Sequence, residues 1–330
     1  MPGVDPVEAT RIVRGELGEP NLPHLVQLPD RGVGSDDVGR SAAMLEGLYV
    51  DVQPFGWRIV DRPGQDHRRA VSALSTDLNV LADVVGAEEN PGQGLKIQIR
   101  GPLAMARDLY LHHGERALSD AGARRDVAES LAAGSADHVR DVMRTSGRRK
   151  ITVVMEEPGI SDVLNGSVRT ASGYRTLRSV PRNEVTNAWS LLVESLRGAG
   201  ASAVVLKAEP RSADVNTVFD AVAAAASDGI CLPIGTLDGR AWERAAGLVE
   251  SGGQLWLGLL DPSKEPPMVV RAVERILRPW RELGLEQGTL ETLTLLPTGG
   301  LADAKPAAVR TILTRLTQTA DALNQVLAEA

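Results

Sequence analysis

Cysteine is nearly absent: Cys231 is the only one in 330 residues. One thiol excludes an intrachain disulfide framework and any zinc site built from several cysteines. Aromatic residues are scarce too, at five Trp, three Tyr and two Phe. Because 43% of the chain is nonetheless apolar, a large core must be built from Val, Leu, Ile and Ala. That composition suits a parallel sheet covered by Ala-rich helices. No uninterrupted apolar run reaches the roughly 18 residues that a spanning helix needs. The opening "MPGVDPVEATRIV" has neither an apolar stretch nor a cleavage site, so a cytoplasmic protein is expected.

Concentrated positive charge is lacking as well. The net charge is −7, with both signs mixed along the chain, which argues against a nucleic-acid or anionic-membrane partner. The one basic cluster, Arg148-Arg149-Lys150, precedes an apolar run and reads as a solvated loop. No G-x-G-x-x-G follows the first apolar run, and no G-x-x-x-x-G-K-[ST] occurs, which removes the dinucleotide and P-loop readings. Neither H-E-x-x-H nor C-x-x-C is present, and no internal repeat is visible.

What is present is a regular alternation. Apolar runs at 47–53, 95–102, 151–158, 202–210, 229–235, 254–260 and 293–297 are separated by segments of helical period. Several runs are continuous, as in strands buried on both faces. Val185, Ala188, Trp189, Leu192, Val193 and Leu196 follow the i, i+3, i+4 rule of an amphipathic helix. The same rule holds for 269–280 and 309–323, and 117–145 reads as a long Ala-rich helix. Repeated βα units predict a parallel sheet. The expected fold is a (β/α)₈ TIM barrel in one domain over 1–330, although seven strands are counted where a closed barrel needs eight. Gly/Pro-rich stretches at 15–34 and 86–94 read as loops.

Barrel chemistry sits at the C-terminal strand ends. Those ends carry Asp51 and Gln53, Gln98 and Arg100, Glu156 and Glu157, Lys207 and Glu209, Asp261, and Thr298. Neighbouring Glu156 and Glu157 point to opposite faces of a strand, so at most one faces the axis. Carboxylates from different strands can act as acid and base or hold an ammonium. Lys207 can balance them, bind a carboxylate, or form a Schiff base if desolvated. The alternative is a structural ion-pair network. Cys231 reads as a small buried hydrophobe. His112-His113 reads as a helix-end feature, and His24, His67 and His138 as scattered in polar surroundings.

The segments "MPGVDPVEATRIVRGEL" (1–17), "LPHLVQLPDRGVGSDDVGRSAAML" (22–45), "VDVQPFGWRIV" (50–60) and "LKIQIRGPLAMA" (95–106) carry a family resemblance. So do "ALSDAGARRDVAESLAAG" (117–134), "EEPGISDVLNGSVRTASGYRTLRSV" (156–180) and "LTLLPTGGLADAKP" (293–306). In order and spacing the chain resembles the catalytic barrel of cobalamin-independent methionine synthase, most closely its short stand-alone members. The resemblance implies a (β/α)₈ barrel and methyl transfer from a folate to the thiol of homocysteine, with zinc as cofactor holding that thiol as thiolate.

Carried over residue by residue, the family's His-x-Cys ligand pair falls on Leu206 and Ala208, and its final Cys on Gly299. The expectation is therefore no metal and no other cofactor. The family's Asp-Glu-Pro falls on Glu156-Glu157-Pro158, and its histidine and glutamate after the second strand fall near Gln53 and Pro54. A Gly-Ser-x-Pro-Gly strand end matches Met1-Pro2-Gly3 only at its tail, so the first barrel strand is expected to be truncated, with the coding start placed too late. Three readings follow. The chain is an enzyme with altered chemistry, a non-catalytic binding or regulatory barrel, or a zinc-dependent methyltransferase, which the lost ligands oppose. The partner in the first two is a small amino-acid-like or folate-like molecule. Its candidate contacts are Glu156, Glu157, Lys207, Arg100, Gln53 and Thr298.

Overall fold

A computed structural model describes residues 1–329. Among these residues eight strands form: β1 (Tyr49–Gln53), β2 (Gly56–Val60), β3 (Gly94–Arg100), β4 (Lys150–Glu157), β5 (Ala203–Ala208), β6 (Gly229–Pro233), β7 (Gln254–Leu260) and β8 (Leu293–Pro297). The last six make one parallel sheet in the sequential order β3-β4-β5-β6-β7-β8. Helices lie between consecutive strands, as parallel crossovers require. The segments read as helical form Ala121–Ser146, Arg182–Gly198, Val269–Glu282 and Pro306–Ala328.

Strand alternation fixes two faces. Leu95, Ile97 and Ile99, then Ile151, Val153 and Met155, then Val204, Leu206 and Ala208 belong to the core shared with the helices. Each fully buried aliphatic side chain there contributes about 1.5–3 kcal/mol. The opposite parity packs inward, where Val154, Val205, Cys231, Trp256 and Leu296 from five consecutive strands meet in one cluster. Only a curled sheet brings those side chains together, so the wall is a partial barrel.

The run at 47–53 does form a strand, but not in this sheet. β1 pairs antiparallel with β2 through Gln53↔Gly56, because Pro54 and Phe55 turn the chain back on itself. Gly56 takes φ +132, and a Cβ there would lie 2.9 Å from the Tyr110 ring. The hairpin docks through Tyr110 N to Trp57 O and Ile59 N to Tyr110 O, both 2.8 Å.

The neighbour of β3 instead comes from the stretch 15–34, expected to be only a loop. Lys96 N donates to Pro23 O at 2.8 Å, and Leu25 N donates to Lys96 O at 2.9 Å. This places His24 beside Lys96 in a short parallel bridge. Between residues 20–29 and the free edge of β8 the wall is a cavity rather than a strand. Among the described residues, no helix is long and apolar enough to cross a membrane.

Candidate functional site

The inner face of β3 is polar throughout. "LKIQIR" sends Leu95, Ile97 and Ile99 to the helices, which leaves Lys96, Gln98 and Arg100 on the inside. All three line a cavity of about 640 Å³ that reaches from the sheet interior to β8, together with His24, Glu156, Lys207 and Glu209. Arg100, Glu156, Lys207 and Cys231 fall side by side in register across β3 to β6.

Lys207 Nζ donates to Glu156 Oε1 at 3.0 Å. Burial works against the Lys207 charge, but the Glu156 carboxylate outweighs it and holds the ammonium above its usual range. Lys96 is less supported: its Nζ makes no hydrogen bond or ion pair among the described residues, and the Glu156 charge raises it too little to offset two opposing effects. Burial, and then the positive charge of Lys207, lower it to about 8. His24 is buried, its Nδ1 without a partner. Burial and then the Lys96 charge push it well below the usual imidazole value, so it is neutral. Gln98 Oε1 is likewise buried and unpartnered. Arg100 is committed elsewhere, with Nη1 on Asp37 and Nη2 on Asp108, which leaves its Nε unpaired.

Three sequence candidates thus meet at the cavity: Arg100, Glu156 and Lys207. Glu157 lies on the other face. It is 1% exposed and accepts from Leu103 N at 3.1 Å, Ala104 N at 2.7 Å and Trp189 Nε1 at 2.9 Å. There it ties the first turn of helix Pro102–Asp108 to the helix Arg182–Gly198. Burial pushes its carboxyl up to about 7 against those three donors. Gln53 sits in the β1–β2 hairpin, donating from Nε2 to Val52 O at 3.0 Å. Thr298 packs over Gly258, its N donating to Leu260 O at 2.7 Å. Neither lines the cavity, whereas Gly299 and Gly300 do.

Asp51 and Asp261 have local work. Asp51 accepts from Asp66 N at 3.1 Å at the start of helix Gln65–Gly86. Asp261 organises its turn through Ser263 N and Oγ, at 3.0 and 2.7 Å. The histidines differ from expectation, for His24, His67 and His138 are all buried. His67 stacks edge-on against Tyr49 with ring centroids 5.5 Å apart, and burial takes His138 down to about 3.

No protein-family model matches this chain, and neither does any curated protein. The zinc centre implied by the resemblance is therefore tested on the donor set alone. Leu206 and Ala208 are 0% and 1% exposed and face the helices. A one-residue shift in strand parity exchanges the two faces, so the cavity-facing positions here are Lys207 and Glu209. Gly299 has no donor side chain, Glu156 is tied to Lys207, and burial pushes the Cys231 thiol up to about 12. This set does not fit zinc, which prefers thiolate, imidazole and carboxylate in a tetrahedron.

Two cavity residues escaped the reading of strand ends: Lys96, four residues before the end of β3, and His24, in a presumed loop. The signal for Lys96 was the parity of Lys96, Gln98 and Arg100, three polar residues two apart in an otherwise apolar strand.

Proposed function

We propose that the cavity binds a small amino-acid-like molecule, on a (β/α)₈-type barrel of the cobalamin-independent methionine synthase kind that has lost its zinc-dependent thiol chemistry. The observation that carries this is the Glu156–Lys207 pair on the cavity wall beside the unpaired ammonium of Lys96. Glu156 presents a carboxylate for a ligand ammonium. Lys96 supplies an uncommitted cation for a ligand carboxylate, a charge-assisted contact stronger than a neutral hydrogen bond. Gln98 Oε1, buried without a donor, adds an acceptor whose isolation costs about 1–3 kcal/mol until something donates to it. A folate-like pterin acid satisfies the same set. The net charge of −7 and the mixed-sign composition support a cytoplasmic setting with no nucleic-acid or membrane partner.

A specific feature also favours a non-catalytic binding barrel. Arg100 is consumed by Asp37 and Asp108, and Lys207 by Glu156, so much of the strand-end charge is satisfied internally. Calorimetric titration of the purified protein with homocysteine, methionine and methyltetrahydrofolate, beside metal analysis by mass spectrometry, tests both. Binding without stoichiometric metal is the expected outcome. About one zinc per chain together with homocysteine binding would restore the methyltransferase reading and sink this one.

A further inference from the structure

The chain carries five lysines against 31 arginines. Lys150, Lys264 and Lys305 are exposed, whereas Lys96 and Lys207 line the cavity. An arginine keeps its proton in any protein environment, but a lysine can surrender it and become an amine nucleophile. The two cavity lysines are differently placed for that. Lys207 is held as an ammonium by Glu156 at 3.0 Å. Lys96 has no carboxylate partner, and its bridge to His24 sets a neutral imidazole, not an anion, on its flank. A lysine desolvated in a pocket and set near a second cation is the arrangement that activates an amine towards carbonyl carbon.

We propose that Lys96 forms an imine with the carbonyl group of a 2-oxo acid bound in the cavity. This rests on the cavity being a ligand site and names the ligand class it takes. The lone pair of neutral Lys96 Nζ adds to the carbonyl carbon, and a proton passes from the nitrogen to the carbonyl oxygen to give a neutral carbinolamine. That hydroxyl, protonated again, leaves as water while the nitrogen loses its hydrogen, and the C=N bond forms. Amine and ketone give imine and water, with no oxidant, reductant or cofactor. Lys207 and Glu156, on the same wall, are the groups able to give and take these protons. Burial and Lys207 take Lys96 from the ordinary 10.5 to about 8, which enlarges its neutral share roughly 300-fold at neutral pH.

The intact protein is incubated with pyruvate, reduced with sodium borohydride, digested and mapped by mass spectrometry. The five lysines make the assignment unambiguous. The expected result is a reduced adduct on Lys96 in the wild type, lost in Lys96→Arg and unchanged in Lys264→Arg. Because the wild-type map locates the adduct by itself, a misfolded variant does not spoil the test. Labelling spread over Lys150, Lys264 and Lys305, or equal labelling in urea, overturns the proposal. Calorimetric amino-acid binding without any adduct overturns the imine alone. Neither binding nor adduct overturns the ligand site as well.

Discussion

Glu157 poses a contest between two opposing effects. Full burial disfavours its charge, while Leu103 N, Ala104 N and Trp189 Nε1 all donate to it and favour the carboxylate. Burial wins, with the carboxyl moving from the ordinary 4.5 to about 7. Its folded value then lies above its unfolded one, so between pH 4.5 and 7 the native state holds the extra proton. The contribution of this group is fully present below about pH 4.5 and lost as pH rises through about 7. At 1.36 kcal/mol per pKa unit, the swing is about 3 kcal/mol. Glu157→Gln keeps an acceptor oxygen but does not titrate. Urea unfolding of both proteins at pH 4.5 and pH 8 isolates the effect, since other titrating groups are common to the two. The Gln variant should gain about 3 kcal/mol relative to wild type between those pH values. A flat difference, or a wild type that gains at pH 8, would mean that the three donors prevail and that the carboxylate is ionised throughout.

Gly134→Ala should be strongly destabilising, by about 3 kcal/mol or more in urea unfolding. The new Cβ would fall 1.5 Å from Met44 O, where helix Ala121–Ser146 presses on the preceding loop; a wild-type midpoint would refute that close approach. The rate of pyruvate adduct formation on Lys96 should climb as pH rises and level off near 8, as the amine loses its proton; a rate still climbing steeply beyond pH 10 would show an unperturbed lysine. Cys231, 2% exposed with its thiol pushed up to about 12, should resist an aromatic disulfide reagent in the native protein and react once per chain in urea. Prompt native labelling would contradict its place in the inner apolar cluster.

Much of the sheet was legible because six continuous or alternating apolar runs sit between segments of helical period. Less legible was which strands are neighbours. Residues 47–53 satisfy every local requirement of a barrel strand, but the pairing is decided by the Pro54-Phe55 turn and by Tyr110, far along the chain. The converse error was Pro23–Leu25, too short and too Pro-flanked to register as a strand, yet bonded to Lys96. At the site, reading strand ends found Glu156, Lys207 and Arg100, which share the cavity, but gave equal standing to Glu157 and Thr298, which do not. Parity along each strand separates these sets, and the same parity places Lys207, not Leu206 or Ala208, on the inside. Trp189 as partner of Glu157 lies 32 residues away, and no local pattern announces it.

Among the described residues β8 pairs with a strand on one side only, and Leu293–Pro297 line the cavity, so the unpaired edge of main-chain amides and carbonyls borders it. Point mutation changes side chains but leaves those groups where they are. The two walls of the cavity therefore differ in how freely they can evolve. The β8 wall offers the same ladder of donors and acceptors whatever its side chains become. For the ligand proposed above, discrimination falls to side chains elsewhere on the cavity wall, at Lys96, Glu156 and Lys207, which substitution can change without rebuilding the sheet.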